Sequence, residues 1–320
     1  MNIATKKQKR EPYQRPMRIR TSAGYKIGQT LNYIVLIALG FITLYPFWYC
    51  LIVAFNNGKD ALKGGLYFWP RVFTLDNFMR AFNHPLIGSS FVISITRTVI
   101  VVLLSVLVTA LMAYALTRKS LPGRSVFIFY FYFTSIFGAG LIPTYIMYRQ
   151  FNMLNNYSVL ILPVLYNFFN SLVLRTFFNT IPESLQESAR IDGAGEMRIF
   201  FRIMLPLSVP AIATIALFVG VGTWNDWFTG AYFLPRRRDL YPAATLLYDL
   251  MSQAVFETNP DAGGGANTMN EALMMAQGAS TTPESLKMAF LIILTFPIMC
   301  VYPFLQKYFV TGIMIGSIKE

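Results

Sequence analysis

The residues of this chain that are equipped for chemistry are polar and aromatic side chains set within apolar runs. Asn167 and Asn170 interrupt one hydrophobic segment, Trp224-Asn225-Asp226-Trp227 closes another, and Tyr130, Tyr132 and Tyr145 are weaker candidates on a third. Amides and a carboxylate offer hydrogen bonds in the plane of a sugar ring, and indoles offer a flat surface to its C–H face. Polar groups inside a bilayer are costly and invite a functional reading. Each set also has a plainer explanation. Trp224 and Trp227 serve as interfacial anchors, and Asn167 and Asn170 as hydrogen bonds that join helices. For bond-making chemistry there is little support. His84 is the only histidine, no metal-ligand spacing exists, and no cluster of acid, base and nucleophile is evident. Cys50 and Cys300 are expected at different depths, which argues against a disulfide. The pattern indicates recognition, not catalysis.

Those side chains need membrane-spanning elements to position them. Of 320 residues, 55% are hydrophobic and 13% charged, far from a soluble domain. A crossing needs about 20 largely apolar residues, and six segments qualify: roughly 33–53, 98–116, 126–148, 157–177, 208–227 and 287–309. The third contains Gly138, Gly140 and Pro143, so a break or bend is expected there. The formal net charge of +12 is concentrated at the start, where Lys6, Lys7, Lys9, Arg10, Arg15, Arg18, Arg20 and Lys26 oppose Glu11. A basic tail ahead of an apolar helix marks a cytoplasmic segment rather than a nucleic-acid site. The first apolar run is too long for a signal peptide and no small-residue cleavage site follows it.

Short-loop charges agree with that orientation. Arg118, Lys119 and Arg124 fall in the 117–125 connection and Arg190, Arg198 and Arg202 in 178–207, while 149–156 has Arg149 alone. Both basic connections and both termini are then cytoplasmic. The organisation expected is a basic tail over 1–32, a transmembrane domain over 33–309 and a cytoplasmic tail over 310–320. Residues 54–97 and 228–286 become outer loops, the first with room for a short helix and the second with one expected over 269–275. The longer loop reads as a docking surface for an external partner or as a cover for the bundle. Arg97 is expected to snorkel outward from the second span. Arg236-Arg-Arg238 could attract an acidic solute or a carboxylate-rich partner, or could be a solvated loop beside Asp239.

The 178–207 connection carries its own pattern. Thr180-Ile-Pro-Glu183 reads as a capping box. The helix that follows, to about Asp192, places Leu185, Ser188, Ala189 and Asp192 on one face, with Glu187 and Arg190 able to pair across a turn. Gly193 ends it, Ala194-Gly195 reverses the chain, and a second helix from Glu196 closes before Pro206. The plainer alternative for the bare pattern is an amphipathic loop lying on the membrane.

Glu187-Ser-Ala-Arg-Ile-Asp-Gly193, followed by Ile203-Met-Leu-Pro206, resembles the EAA loop of binding-protein-dependent ABC importer permeases. Over about residues 30–320 the chain resembles the maltose-permease-like carbohydrate branch. Gly138-Ala-Gly-Leu-Ile-Pro-Thr-Tyr145 and Leu154-Asn-Asn-Tyr-Ser158 look like its complex-oligosaccharide subunits, and Trp224–Trp227 and Gln306-Lys-Tyr-Phe-Val-Thr-Gly312 match the branch. Ser188 departs from the family's alanine but is still small. The resemblance implies an all-α integral membrane protein of six transmembrane helices, the type I ABC importer permease fold, with both termini in the cytoplasm of a bacterial cell. It further implies that Glu187, Ser188, Ala189, Asp192, Gly193 and Gly195 couple to a cytoplasmic ATPase. Gly312 and Gly316 would lie in an extended tail reaching between two such ATPase subunits. The implied partners are a second, homologous permease, the two ATPases, a solute-binding protein, lipid and an oligosaccharide. The chain has no Gly-rich phosphate loop of its own. It is therefore expected to bind no cofactor and to hydrolyse nothing, ATP and Mg belonging to its partners.

Overall fold

The computed structural model describes residues 23–258 and 280–317, and side-chain surroundings within 24–252 and 280–300. Over the described residues the chain is helical, with an isolated antiparallel bridge between Asn56 and Phe73. Contacts divide it into two units, residues 1–48 and 49–320. The described part of the first belongs to α1 (Ala23–Ala54), a continuous apolar helix that passes through Pro46. Its side chains before residue 49 are largely exposed, Ile37 and Ile42 among them.

In the second unit, the 54–97 connection folds into α2 (Gly58–Ala61) and α3 (Asp76–Phe82), and then α4 (Ile87–Thr117) begins well before residue 98. Ser89, Ser90 and Ser94 lower the hydropathy of its first turns without breaking the helix. The Ser89 hydroxyl donates to Leu86 O and that of Thr96 to Val92 O, while Ser94 Oγ accepts from Ala243 N–H at 2.7 Å. The connection is fastened by Asn77, whose Nδ2 donates to Ala54 O at 2.8 Å and Asn56 O at 2.9 Å while its Oδ1 accepts from Ser285 Oγ at 2.8 Å.

The third expected span is broken as Gly138, Gly140 and Pro143 suggest. α5 (Arg124–Ile136) and α6 (Leu141–Gln150) meet at 115°, with Gly140 at φ +86° between them. The fourth is α-helical only in α7 (Phe168–Phe178), preceded by 3-10 turns at Tyr157–Leu160 and Leu162–Val164 and bent by 43°. Pro163 and the capping side chains of Asn156 and Asn167 interrupt it. α8 (Glu183–Ile191) and α9 (Glu196–Ile199) form the hairpin of the 178–207 connection. A π turn over Phe200–Met204 and a short α10 (Leu205–Leu207) then lead into α11 (Val209–Asn225) across an 82° bend.

After α11 come α12 (Phe228–Phe233), a 3-10 turn at Arg238–Leu240 and α13 (Ala243–Thr258). The helix expected over 269–275 lies outside the described residues. α14 (Pro283–Ser317) closes the chain. It continues past 309, so Gly312 and Gly316 lie on a helix instead of the extended tail expected for them; their surroundings lie outside the described residues. In all, α1, α4 and residues 283–300 are long and apolar enough to cross a membrane singly, and three bent pairs raise the number to six if each is one span.

α4 sits at the centre and packs against α7 and α11, while α11 also packs against α14. Its buried residues are mostly small, with Ser90, Ser94, Val101, Ser105, Thr109, Ala110 and Ala113 among them and Arg97 as a large exception on the same stripe. Small side chains let helices approach closely where lipid supplies no apolar driving force. The contact from α11 is Gly220, where an added Cβ would stand 3.4 Å from Val102.

Candidate functional site

The hairpin is anchored on one side and bare on the other. Ile199, Phe200 and Met204 are fully buried with Ala110, Tyr114, Leu174, Phe178 and Ile215, which fixes its second arm to α4, α7 and α11. The first arm, α8, exposes Leu185, Glu187, Ser188 and Asp192, and Ile191 is 86% exposed. Ala189 is half-buried and packs toward the bundle, so the predicted face is exposed around a seated alanine.

The helix ends as expected. Gly193 has φ +77°, Ala194 N–H donates to Ala189 O at 2.8 Å and Gly193 N–H to Arg190 O at 3.0 Å. These are the paired bonds of a Schellman end, which requires a left-handed residue at Gly193. The helix begins differently. Pro182 is its N-cap and has no side-chain cap bond, while the Thr180 hydroxyl donates to Phe177 O, so no capping box forms. Arg190 turns from Glu187 to Glu196, with Nε 3.0 Å from Oε1. The second arm does not stop before Pro206. Its helix widens into the π turn, where Leu205 N–H reaches Phe200 O. A wider turn accommodates a proline that lacks the donor of a regular helix.

The candidate solute residues make separate contacts among the described residues. Asn167 caps α7, its Oδ1 accepting from Asn170 N–H at 3.1 Å, while Asn170 itself is buried. Trp224 Nε1 donates to Leu294 O of α14 at 3.4 Å, and Trp227 stacks on Tyr248 of α13 at 4.1 Å. Tyr132 meets Phe168, Tyr145 meets Phe233, and Tyr130 and Asn225 are exposed. None of these residues lines the apolar groove of about 420 Å³ between Phe78, Phe91 and Phe296. They are also absent from the cavity of about 1160 Å³ beside the hairpin.

Asp226 serves a structural partner. Its Oδ2 lies 2.5 Å from Nη2 of Arg97, and its Oδ1 accepts from Thr229 N–H at 3.1 Å. Arg97 therefore does not snorkel: it is 1% exposed, and its Nε donates to Leu160 O at 2.9 Å. A carboxylate and a carbonyl within reach satisfy it better than a stretched conformation toward water. Among the described residues no three His, Cys, Asp or Glu side chains are grouped as metal ligands.

A sequence profile described as "binding-protein-dependent transport system inner membrane component" matches residues 100–315, more than half of the chain. The chain belongs to this family. The permease is 36% identical over 294 residues to the polygalacturonan/rhamnogalacturonan transport system permease protein YtcP of Bacillus subtilis (strain 168), covering 92% of this chain and 99% of that one. It is also 36% identical to Protein LplC of the same organism, over 93% of this chain and 97% of the other. In structure it is similar to a chain of a bacterial ABC transporter involved in the import of the acidic polysaccharide alginate. That likeness has TM-score 0.78 and 28% identity, and covers 90% of this chain and 99% of that chain.

Three features of the permease escaped sequence reasoning. Ile191 lies off the face set by Leu185, Ser188, Ala189 and Asp192, so the periodic pattern does not single it out. Glu196 marks only a helix start in the sequence, yet it gathers Tyr114, Arg118 and Arg190. The Arg97–Asp226 pair was legible in principle, since a lone arginine within an apolar span calls for a carboxylate on another.

Proposed function

We propose that this permease is one of two similar, non-identical membrane subunits of an ATP-driven importer for acidic oligosaccharides in a bacterial cell membrane. An extracytoplasmic solute-binding protein delivers the sugar, and two cytoplasmic ATPase subunits, which bind ATP and Mg, drive alternating access of the paired bundles. The chain crosses the membrane six times with both termini in the cytoplasm, and α8 seats in a groove of one ATPase.

The observation that carries this reading is the bare arm of the hairpin. Its second arm is buried in the bundle, whereas α8 presents Leu185, Ser188, Ile191 and Asp192 outward. Such a lever is of use to a separate motor and of none to a carrier that moves solute alone. Polygalacturonan, rhamnogalacturonan and alginate in the names of similar proteins support an acidic sugar. The basic cluster adds little to this, because Arg237 is held by Asp239 at 2.8 Å and Arg238 stands 3.7 Å from Asp249.

Two measurements test the reading. A crosslinker at Ser188→Cys should capture an ATPase subunit in the working transporter, and vesicles given the binding protein should take up oligogalacturonides in preference to neutral glucans of equal length. Failure to crosslink while transport proceeds would remove the lever. Preference for the neutral glucan would remove the acidic substrate and leave the lever standing.

A further inference from the structure

One carboxylate ties the hairpin to the bundle on its open side. Glu196 opens α9, immediately after the turn that ends α8. Its Oε2 accepts from the Tyr114 hydroxyl at 2.6 Å and lies 2.8 Å from Arg118 Nη2, and its Oε1 lies 3.0 Å from Arg190 Nε. Arg118 closes the set by donating to the Tyr114 hydroxyl, with its guanidinium carbon 4.3 Å from that ring's centre. Three segments therefore meet at one side chain: the end of α4, the last turn of α8 and the first turn of α9. Tyr114 is itself held, with its ring edge-on to Phe178 and against Phe200.

The surroundings make this joint distinct from ordinary packing. The cavity of about 1160 Å³ lies between the end of α4, the connection at Lys119–Pro122 and α8 itself, with Glu183 and Gln186 on its far wall. Apolar contact to the bundle comes from Ala189 on α8, and the bonds to Glu196 add a directional constraint on the spacing of α8 from α4. Charge-assisted hydrogen bonds constrain angle as well as distance, which apolar contacts do poorly. Glu196 is also half-exposed, at 52%. Screened by water, such pairs add little net stability, so geometry is what removal should alter.

We propose that Glu196 is a positioning residue that locks the angle of α8 on α4, so that a displacement of α8 is passed to α4 at the centre of the bundle. The role in transport rests on the reading that α8 engages an ATPase; the lock itself does not. Small residues on α4 then pass the movement to α7 and α11, which pack against it.

The lock is tested first without any partner. In the full chain in nanodiscs, with Cys50 and Cys300 replaced by serine, spin labels at Ser120→Cys and Ser184→Cys report the distance from the α4 end to α8. The distribution should be narrow with Glu196 present, broadened in Glu196→Ala and intermediate in Glu196→Gln. An unchanged distribution in Glu196→Ala overturns the proposal, even where that variant fails to assemble with partners. In the assembled transporter, the uncharged Glu196→Gln should keep its ATPase subunits and basal hydrolysis. The ATP used per sugar imported should rise about tenfold, within the range of energetic coupling between distant sites. A normal ratio in an assembled Glu196→Gln transporter with a broadened distribution overturns the role in force transfer. If the unmodified chain bound no ATPase at all, the functional reading would fall and the distance result would stand.

Discussion

Arg97 of α4 and Asp226, the residue that caps the end of α11, are 129 positions apart, yet each is the other's main charged contact. Removing one partner of a buried pair costs about 3–5 kcal/mol, because the other charge is stranded. Asp226 retains 20% exposure, which places this pair toward the lower end. Arg97→Ala should lower thermal stability in detergent strongly, and Arg97→Met with Asp226→Asn should cost less than the two single changes added together. Additive losses would show that the two side chains act independently. His84 offers a pH test at the same scale. Burial pushes its imidazole below the usual range, its Nδ1 accepts from Leu86 N–H at 3.3 Å, and its ring meets Phe290 edge-on. A depressed folded pKa means that the unfolded chain binds the proton more readily. The contribution is therefore complete above the unfolded value of about 6.5 and is lost as pH falls through the folded one. Melting temperature should decline more between pH 7 and pH 5 in the native chain than in His84→Gln, and parallel curves would refute it.

Among elements, the hairpin was the most legible in advance, because a glycine that must adopt positive φ leaves its mark in sequence. Gly193 has open space around it, so only the backbone resists a side chain there. Gly193→Ala should cost about 1 kcal/mol and Gly193→Val more, since the left-handed region penalises branched side chains. Gly193→Asn should be milder than either. Thermal unfolding of the purified chain orders the series, and equal stability of all four would contradict the Schellman end. Proximity along a helix favours Glu187 as the partner of Arg190, whereas the reversal at Gly193–Gly195 brings Glu196 closer. Pro206 signals a stop in the sequence, which does not reveal that the preceding turn can widen. In α4 the serines of the first turns concealed helix from a hydropathy count.

For the whole molecule, charge and hydropathy foretold a helical membrane protein, while the bends were beyond them. A run of apolar residues reads the same whether it is straight or folded back by 115°, as α5 and α6 are. Gly138, Gly140 and Pro143 mark that break, and Pro206 and Pro210 flank the 82° elbow ahead of α11, although a proline alone does not fix the angle of a bend. Orientation can be checked with membrane-impermeant thiol reagents on intact cells. A cysteine at Ser120 or Ser184 should be protected and one at Lys63 labelled, and labelling of Ser120 from outside would invert the arrangement. The Arg97–Asp226 pair also places a demand on biosynthesis. A ribosome delivers α4 to the membrane long before it has made the aspartate, so the guanidinium must wait in an unfavourable setting until the later helix arrives. Fragments ending near residue 200 should accordingly be short-lived in the cell, and replacing Arg97 with methionine should lengthen their survival even as it weakens the finished protein.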